Sequence, residues 1–250
     1  MGPSKRLQDQ VILSTNGHES PVGVLGIRAD VIDALSSVCD LQDKFRNAIW
    51  QFDKLYDIPH IRRRLTPSPF MALNLLTAPL LTSRKVLRAA QILKIPVIVT
   101  TQNKARLGAI VPELQELTEG AVLNVDKTRF SMMVPEIASH ELLSSATKRS
   151  VVIVGIESHI CVTQTALDLL AQGHQVYVLA DGVSSCNEQE VPVALARLRA
   201  EGITVTTSES WLYETMGDAG IAEFRDIAKL VKESGGDTKA ALAGLLSSRI

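Results

Sequence analysis

Cysteine is scarce in this 250-residue chain, where Cys39, Cys161 and Cys186 are the only three. Scattered thiols without a CxxC pair exclude a disulfide framework and a cysteine zinc cluster, and they imply a reducing compartment. Aromatic residues make up only 4 %, too few for the stacking platforms that hold single-stranded nucleic acid. An excess of one charge sign is also lacking: 26 Lys and Arg against 27 Asp and Glu leave a formal −1. That balance offers no footprint for a phosphate backbone or an acidic membrane surface. The expected partner is therefore a small molecule, with no nucleic acid and no membrane. No apolar run is long enough to span a bilayer, because Arg, Lys or Pro interrupts each one. The opening MGPSKRLQDQ lacks a signal-peptide core, and Gly2-Pro3 followed by Arg6 does not read as a myristoylation site. The expected location is cytoplasmic, with mitochondrial and peroxisomal alternatives; Ser248-Arg249-Ile250 is a loose variant of a peroxisomal address.

What is present reads as a globular α/β protein. Hydrophobic residues account for 46 % and charged ones for 21 %, enough to bury a sizeable core. In the second half, Ser150–Ile156 (SVVIVGI) reads as a strand buried on both faces. An amphipathic helix over 160–171 follows, then a strand over 175–180 closed by Asp181-Gly182. A helix over 188–200, a strand over 203–206 and a helix over 221–232 come next, before a Gly-Gly break. The first half is rougher. A helix over 87–94 and strands over 95–101 and 122–125 are expected, and Ser36 and Ser37 weaken any strand ending at Asp40. Strand and helix alternate, which predicts right-handed βαβ units. The fold class is a three-layer α/β/α sandwich with a mainly parallel sheet of about six strands.

The stretch from Tyr56 to Lys85 fits neither period. It contains Pro59, Pro67, Pro69 and Pro79, four of the ten prolines, and the basic run Arg62-Arg63-Arg64. Prolines at that density exclude a regular helix or central strand, so residues 56–85 read as an insertion outside the core. The organisation is then a polar tail over 1–20, one domain over 21–233 interrupted by that insertion, and a tail over 234–250.

In open α/β sheets, ligands bind outside the carboxyl ends of the strands. Three reactive side chains fall at such ends: Asp40, Lys127 and Cys161. Cys161 follows the strand over 150–156 at a helix start, where unpaired amides and the helix dipole favour thiolate. Each has an ordinary alternative. Asp40 serves equally as a helix cap, Lys127 as a solvated loop lysine and Cys161 as core packing.

The words around these residues are CDLQDKF (39–45), DKTRFSM (126–132) and GIESHICVTQTALDLL (155–170), supported by VPELQEL (111–117), ADGVSS (180–185) and the stretch 207–219. In this order they resemble the isochorismatase-like cysteine hydrolases, and among these the isochorismatase domain-containing proteins. The resemblance implies an Asp–Lys–Cys triad at Asp40, Lys127 and Cys161. Asp40 would take the thiol proton, Lys127 would hold the carboxylate, and Cys161 would attack a carbonyl carbon to give a thioester. It also implies an oxyanion hole from the backbone N–H groups of Glu157 and Cys161, a cis peptide between Ile156 and Glu157, and self-association into a homo-oligomer.

Phe45 and Phe130 are candidate pocket walls, with core packing as the alternative. Cys186 lies in a loop near the site, and strand alternation turns Cys39 to the face opposite Asp40. His159 invites a Cys–His protease reading that lacks a family signature. Nicotinamidases in the wider family bind a metal through an Asp and several His lying between the first two triad members. Between Asp40 and Lys127 the only His is His60, alone in the insertion, and residues 61–139 hold none, so no metal site and no cofactor are expected. The alternative function is a non-catalytic binding or scaffold protein on the same fold, to which the serine-weakened strand and the insertion point.

Overall fold

The run Ser150–Ile156 alternates two apolar sets, and in the computed structural model, which describes residues 34–45, 48–49 and 78–246, both sets are buried. Val152 and Val154 belong to one core cluster and Val151 and Ile153 to the other. This strand (β4) therefore lies between two helical layers. With β1 (Ala34–Cys39), β2 (Val97–Gln102), β3 (Leu123–Lys127), β5 (Gln175–Ser184) and β6 (Thr204–Thr206) it builds a six-stranded sheet in the order β3-β2-β1-β4-β5-β6. All neighbours pair parallel. The chain builds outward from β1 to β3, then returns to the other side of β1 to lay down β4. The β1–β4 boundary is thus the point where strand order reverses, the usual ligand crevice of a doubly wound sheet.

Four sequence expectations need correction. β1 is a fully buried strand paired on both sides, although Ser36 and Ser37 weakened it on paper. Two backbone ladders outweigh the poor strand propensity of two serines. The helix expected from residue 87 runs from Ala78 to Leu93 and buries Leu80, Leu81, Ser83 and Lys85. Residues 78–85 hence belong to the core, and Pro79 stands in the first turn, where its missing N–H costs nothing. The rest of the 56–85 reading, and the 1–20 tail, lie outside the described residues. Residues 234–250 are not a tail throughout: Gly235–Leu246 forms a helix that packs on the 78–93 helix and on β5. There the Lys85 ammonium donates to Thr238 Oγ1 at 2.8 Å. Finally, β5 does not close at Asp181-Gly182. Its pairing with β4 shifts register between Ile153↔Val178 and Gly155↔Val183, so the strand continues to Ser184. Buried Asp181 sits in that irregularity, accepting from the Ser208 N–H at 2.8 Å and from the Ser208 hydroxyl at the start of the Ser208–Met216 helix.

One glycine in β4 is required by its position. Gly155 has φ +126, and a Cβ there would lie 2.1 Å from the carbonyl oxygen of Cys39. Gly155→Ala is expected to lower stability by about 3 kcal/mol or more, from overpacking added to backbone strain. A thermal melt reads it, and an unchanged midpoint would show that β1 and β4 can part at this point without penalty.

Candidate functional site

Three strand ends bring the sequence-flagged side chains together. Asp40 follows β1, Lys127 ends β3 and Cys161 lies just beyond β4. Asp40 adopts φ 52, in the left-handed region that aspartate tolerates better than most residues. Its carboxylate is buried: Oδ1 accepts from Thr100 Oγ1 at 2.9 Å, and Oδ2 lies 2.7 Å from Lys127 Nζ. Lys127 is buried as well, and its ammonium also donates to Gln102 Oε1 at 2.7 Å and to the carbonyls of Arg129 and Phe130 at 3.1 Å. Two charges taken out of water survive only when paired and fully hydrogen-bonded, and this pair is both.

Cys161 sits in a π-helical turn, Ser158–Val162, ahead of the helix Thr163–Ala171. Such turns are uncommon and concentrate at functional positions. The Glu157 carbonyl accepts from both Ile160 and Val162 at 3.1 Å, and the Cys161 carbonyl accepts from Thr165 Oγ1 at 2.6 Å. Thr165 Oγ1 in turn accepts from the Met132 N–H at 2.9 Å, tying the segment that carries Phe130 to the helix that follows Cys161. The Ile156–Glu157 peptide bond is cis.

Cys39 departs from expectation. The left-handed turn at Asp40 breaks the strand's alternation, so the Cys39 thiol, instead of facing away, donates to Asp40 Oδ2 at 3.5 Å. The Cys39 sulfur, an Asp40 carboxylate oxygen and the Cys161 sulfur all lie within 4.8 Å of one another. Burial first, then the hydrogen bond to Cys161 and the Asp40 charge, push the Cys39 thiol well above its ordinary range. Cys39 is thereby held as a neutral thiol beside the carboxylate.

These groups open into a cleft of about 330 Å³ lined by Asp40, Cys161, Ile156 and Glu157. Phe45 and Phe130 line it too, with Leu107 and Ile160 beside them. A family described as the isochorismatase domain matches residues 37–210. The chain belongs to the isochorismatase domain family. It is 36 % identical over 228 residues to isochorismatase domain-containing protein 2 of Xenopus laevis, covering 90 % of this chain and 92 % of that protein. The secreted isochorismatase effector Isc1 of Phytophthora sojae is 37 % identical over 198 residues, covering 78 % and 83 %. Among solved structures, the MAR1 ribonuclease from Caenorhabditis elegans superposes with a TM-score of 0.65 at 32 % identity, covering 82 % of this chain and 92 % of that one.

Within this isochorismatase domain, sequence reasoning missed several site residues. Gln102 anchors Lys127, and Gln42 accepts the Gln102 N–H at 2.7 Å; Asn103 and Arg106 line the cleft. Gln102 and Asn103 directly follow an expected strand, so position alone could have found them. Cys186 is exposed and does not line the cleft. Its N–H donates to Glu157 Oε2 at 3.1 Å, and desolvation together with that carboxylate pushes its thiol upward. His159 Nδ1 lies 2.9 Å from Ser185 Oγ and 3.6 Å from Glu157 Oε2. A metal ion beside Asp40 would compete with the Lys127 ammonium, which already supplies the positive charge there. Among the described residues, no helix is long and apolar enough to cross a membrane.

Proposed function

We propose that this isochorismatase domain is a cysteine hydrolase acting on a small amide or related acyl substrate through a thioester. The single observation that carries the reading is the convergence, from three strand ends, of Asp40 and Cys161 at one apolar cleft with Lys127 paired to Asp40 behind them. Asp40 accepts the Cys161 thiol proton, and the sulfur attacks the substrate carbonyl carbon. The backbone N–H groups of Glu157 and Cys161 stabilise the oxyanion, and the leaving amine departs with the proton held by Asp40. Asp40 then deprotonates a water, which cleaves the thioester and restores the thiol. Lys127 holds the Asp40 carboxyl group in place through the cycle.

Cys39, held protonated, is a neutral donor to Asp40 rather than a rival nucleophile. The ribonuclease name of the C. elegans neighbour belongs to that protein. Here the formal charge of −1 and a small, largely apolar cleft favour a small acyl compound over a phosphodiester chain. Self-association, which the family resemblance leads us to expect, is not required by this mechanism.

The test is to trap the intermediate. The protein is incubated with a panel of activated small acyl esters and amides, quenched in acid and digested. An acyl mass on the Cys161 peptide, lost on standing at neutral pH and absent from the Cys39 and Cys186 peptides, is the expected result. Turnover without acylation of Cys161 would overturn the thioester.

A further inference from the structure

The cleft carries a cation that the mechanism does not use. Asp40 and Lys127 neutralise each other at 2.7 Å. Glu157 lines the cleft, but its Oε2 is engaged by the Cys186 N–H at 3.1 Å and faces His159 Nδ1 at 3.6 Å. Arg106 also lines the cleft, is exposed, and has no carboxylate partner among the described residues. Its neighbours on the wall, Phe45, Leu107, Phe130 and Ile160, are apolar. Arg106 thus presents a cation at the edge of an apolar wall, with no ion-pair partner among the described residues.

The segment bearing this cation is held in place. Arg106 and Leu107 donate their N–H groups to the Asn103 carbonyl at 2.8 and 2.9 Å, and Asn103 itself turns through φ 44. Gln42 Nε2 donates to the Gly108 carbonyl at 2.6 Å, and Lys44 Nζ donates to the Arg106 carbonyl at 2.5 Å. Gln42 and Lys44 belong to the same segment as Asp40, so the arginine is fastened to the strand end that supplies the carboxylate. The planar fork of a guanidinium matches a carboxylate with two parallel hydrogen bonds.

We propose that the cleft selects acyl substrates bearing a carboxylate, such as short monoamides of dicarboxylic acids, and that Arg106 is the residue that binds this carboxylate. The proposal rests on the cysteine-hydrolase reading above. Arg106 holds the end of the substrate away from the reacting carbonyl, and the apolar wall packs the chain between them.

Two alkylating reagents of nearly the same size test it without knowledge of the substrate. Iodoacetate carries a carboxylate and iodoacetamide does not, and each transfers its carbon to a thiolate with loss of iodide. Their rates at Cys161 are read from the Cys161 peptide by mass spectrometry, with 2-mercaptoethanol as the reference thiol. The iodoacetate to iodoacetamide rate ratio at Cys161 is expected to exceed the reference ratio by about tenfold. It should fall to the reference value in Arg106→Met, while Arg106→Lys, which keeps the charge but not the fork, retains part of it. Fast alkylation by both reagents at the reference ratio, unchanged in Arg106→Met, would overturn carboxylate selection and leave the nucleophile standing. Alkylation of Cys161 no faster than that of Cys186 by either reagent would overturn both.

Discussion

Cys161→Ala is expected to abolish hydrolysis, by a factor on the order of 10⁴ or more, because no other described residue lining the cleft can form the thioester. The two remaining thiols are unsuited to replace it. Cys39 is buried and held protonated beside Asp40, and Cys186 is exposed and stands outside the cleft. Cys186→Ala should therefore leave turnover near that of the unaltered protein. Cys39→Ala removes a neutral donor to Asp40 and should cost about tenfold or less. Steady-state kinetics on any amide the protein hydrolyses decides the matter, and near-normal turnover in Cys161→Ala would end the proposed mechanism. The same comparison distinguishes an enzyme from a binding protein on this fold, since a binding protein would show no turnover for any of these variants to change.

The second large effect is on stability. Lys127→Met leaves the Asp40 carboxylate buried without its cation, and also takes donors from Gln102 and from two backbone carbonyls. Breaking a buried pair in this way costs about 3–5 kcal/mol. Adding Asp40→Asn to Lys127→Met removes the stranded charge, so the double variant should unfold at a higher urea concentration than Lys127→Met alone. Urea titrations of the two single variants and the double variant measure the coupling directly. Additive losses would mean that the two charges do not depend on each other, and Lys127 would then be an ordinary structural lysine. Turnover should vanish in all three, because Asp40 must be both ionised and oriented to accept the thiol proton.

Much of the fold was legible because its signals are local. SVVIVGI shows a doubly covered strand by composition, and the spacing of the later helices and strands follows the same alternation of periods. The helix from Ala78 was less legible, since prolines upstream masked a start whose buried face (Leu80, Leu81, Ser83, Lys85) mixes apolar and polar residues. The helix over 235–246 was hidden for a similar reason. Two glycines look like a break, and only packing against the 78–93 helix and β5 turns them into a helix start.

By itself the sequence determined that strands and helices alternate and that Asp40, Lys127 and Cys161 stand at strand ends, because both facts depend on neighbours within a few positions. Only the tertiary structure decided what these residues do to one another. Lys127 reaches Asp40 across 87 positions of chain because β3, β2 and β1 lie side by side. Cys161 joins them because the strand order reverses between β1 and β4. A single left-handed residue turns the Cys39 thiol toward Asp40, against the alternation that strand geometry alone would impose. Arg106 acquires its place in the cleft through hydrogen bonds from Gln42 and Lys44, more than sixty positions away in sequence. Sheet order and backbone turns are set by the burial of the whole chain, so periodicity within a short window cannot reveal which distant groups will meet.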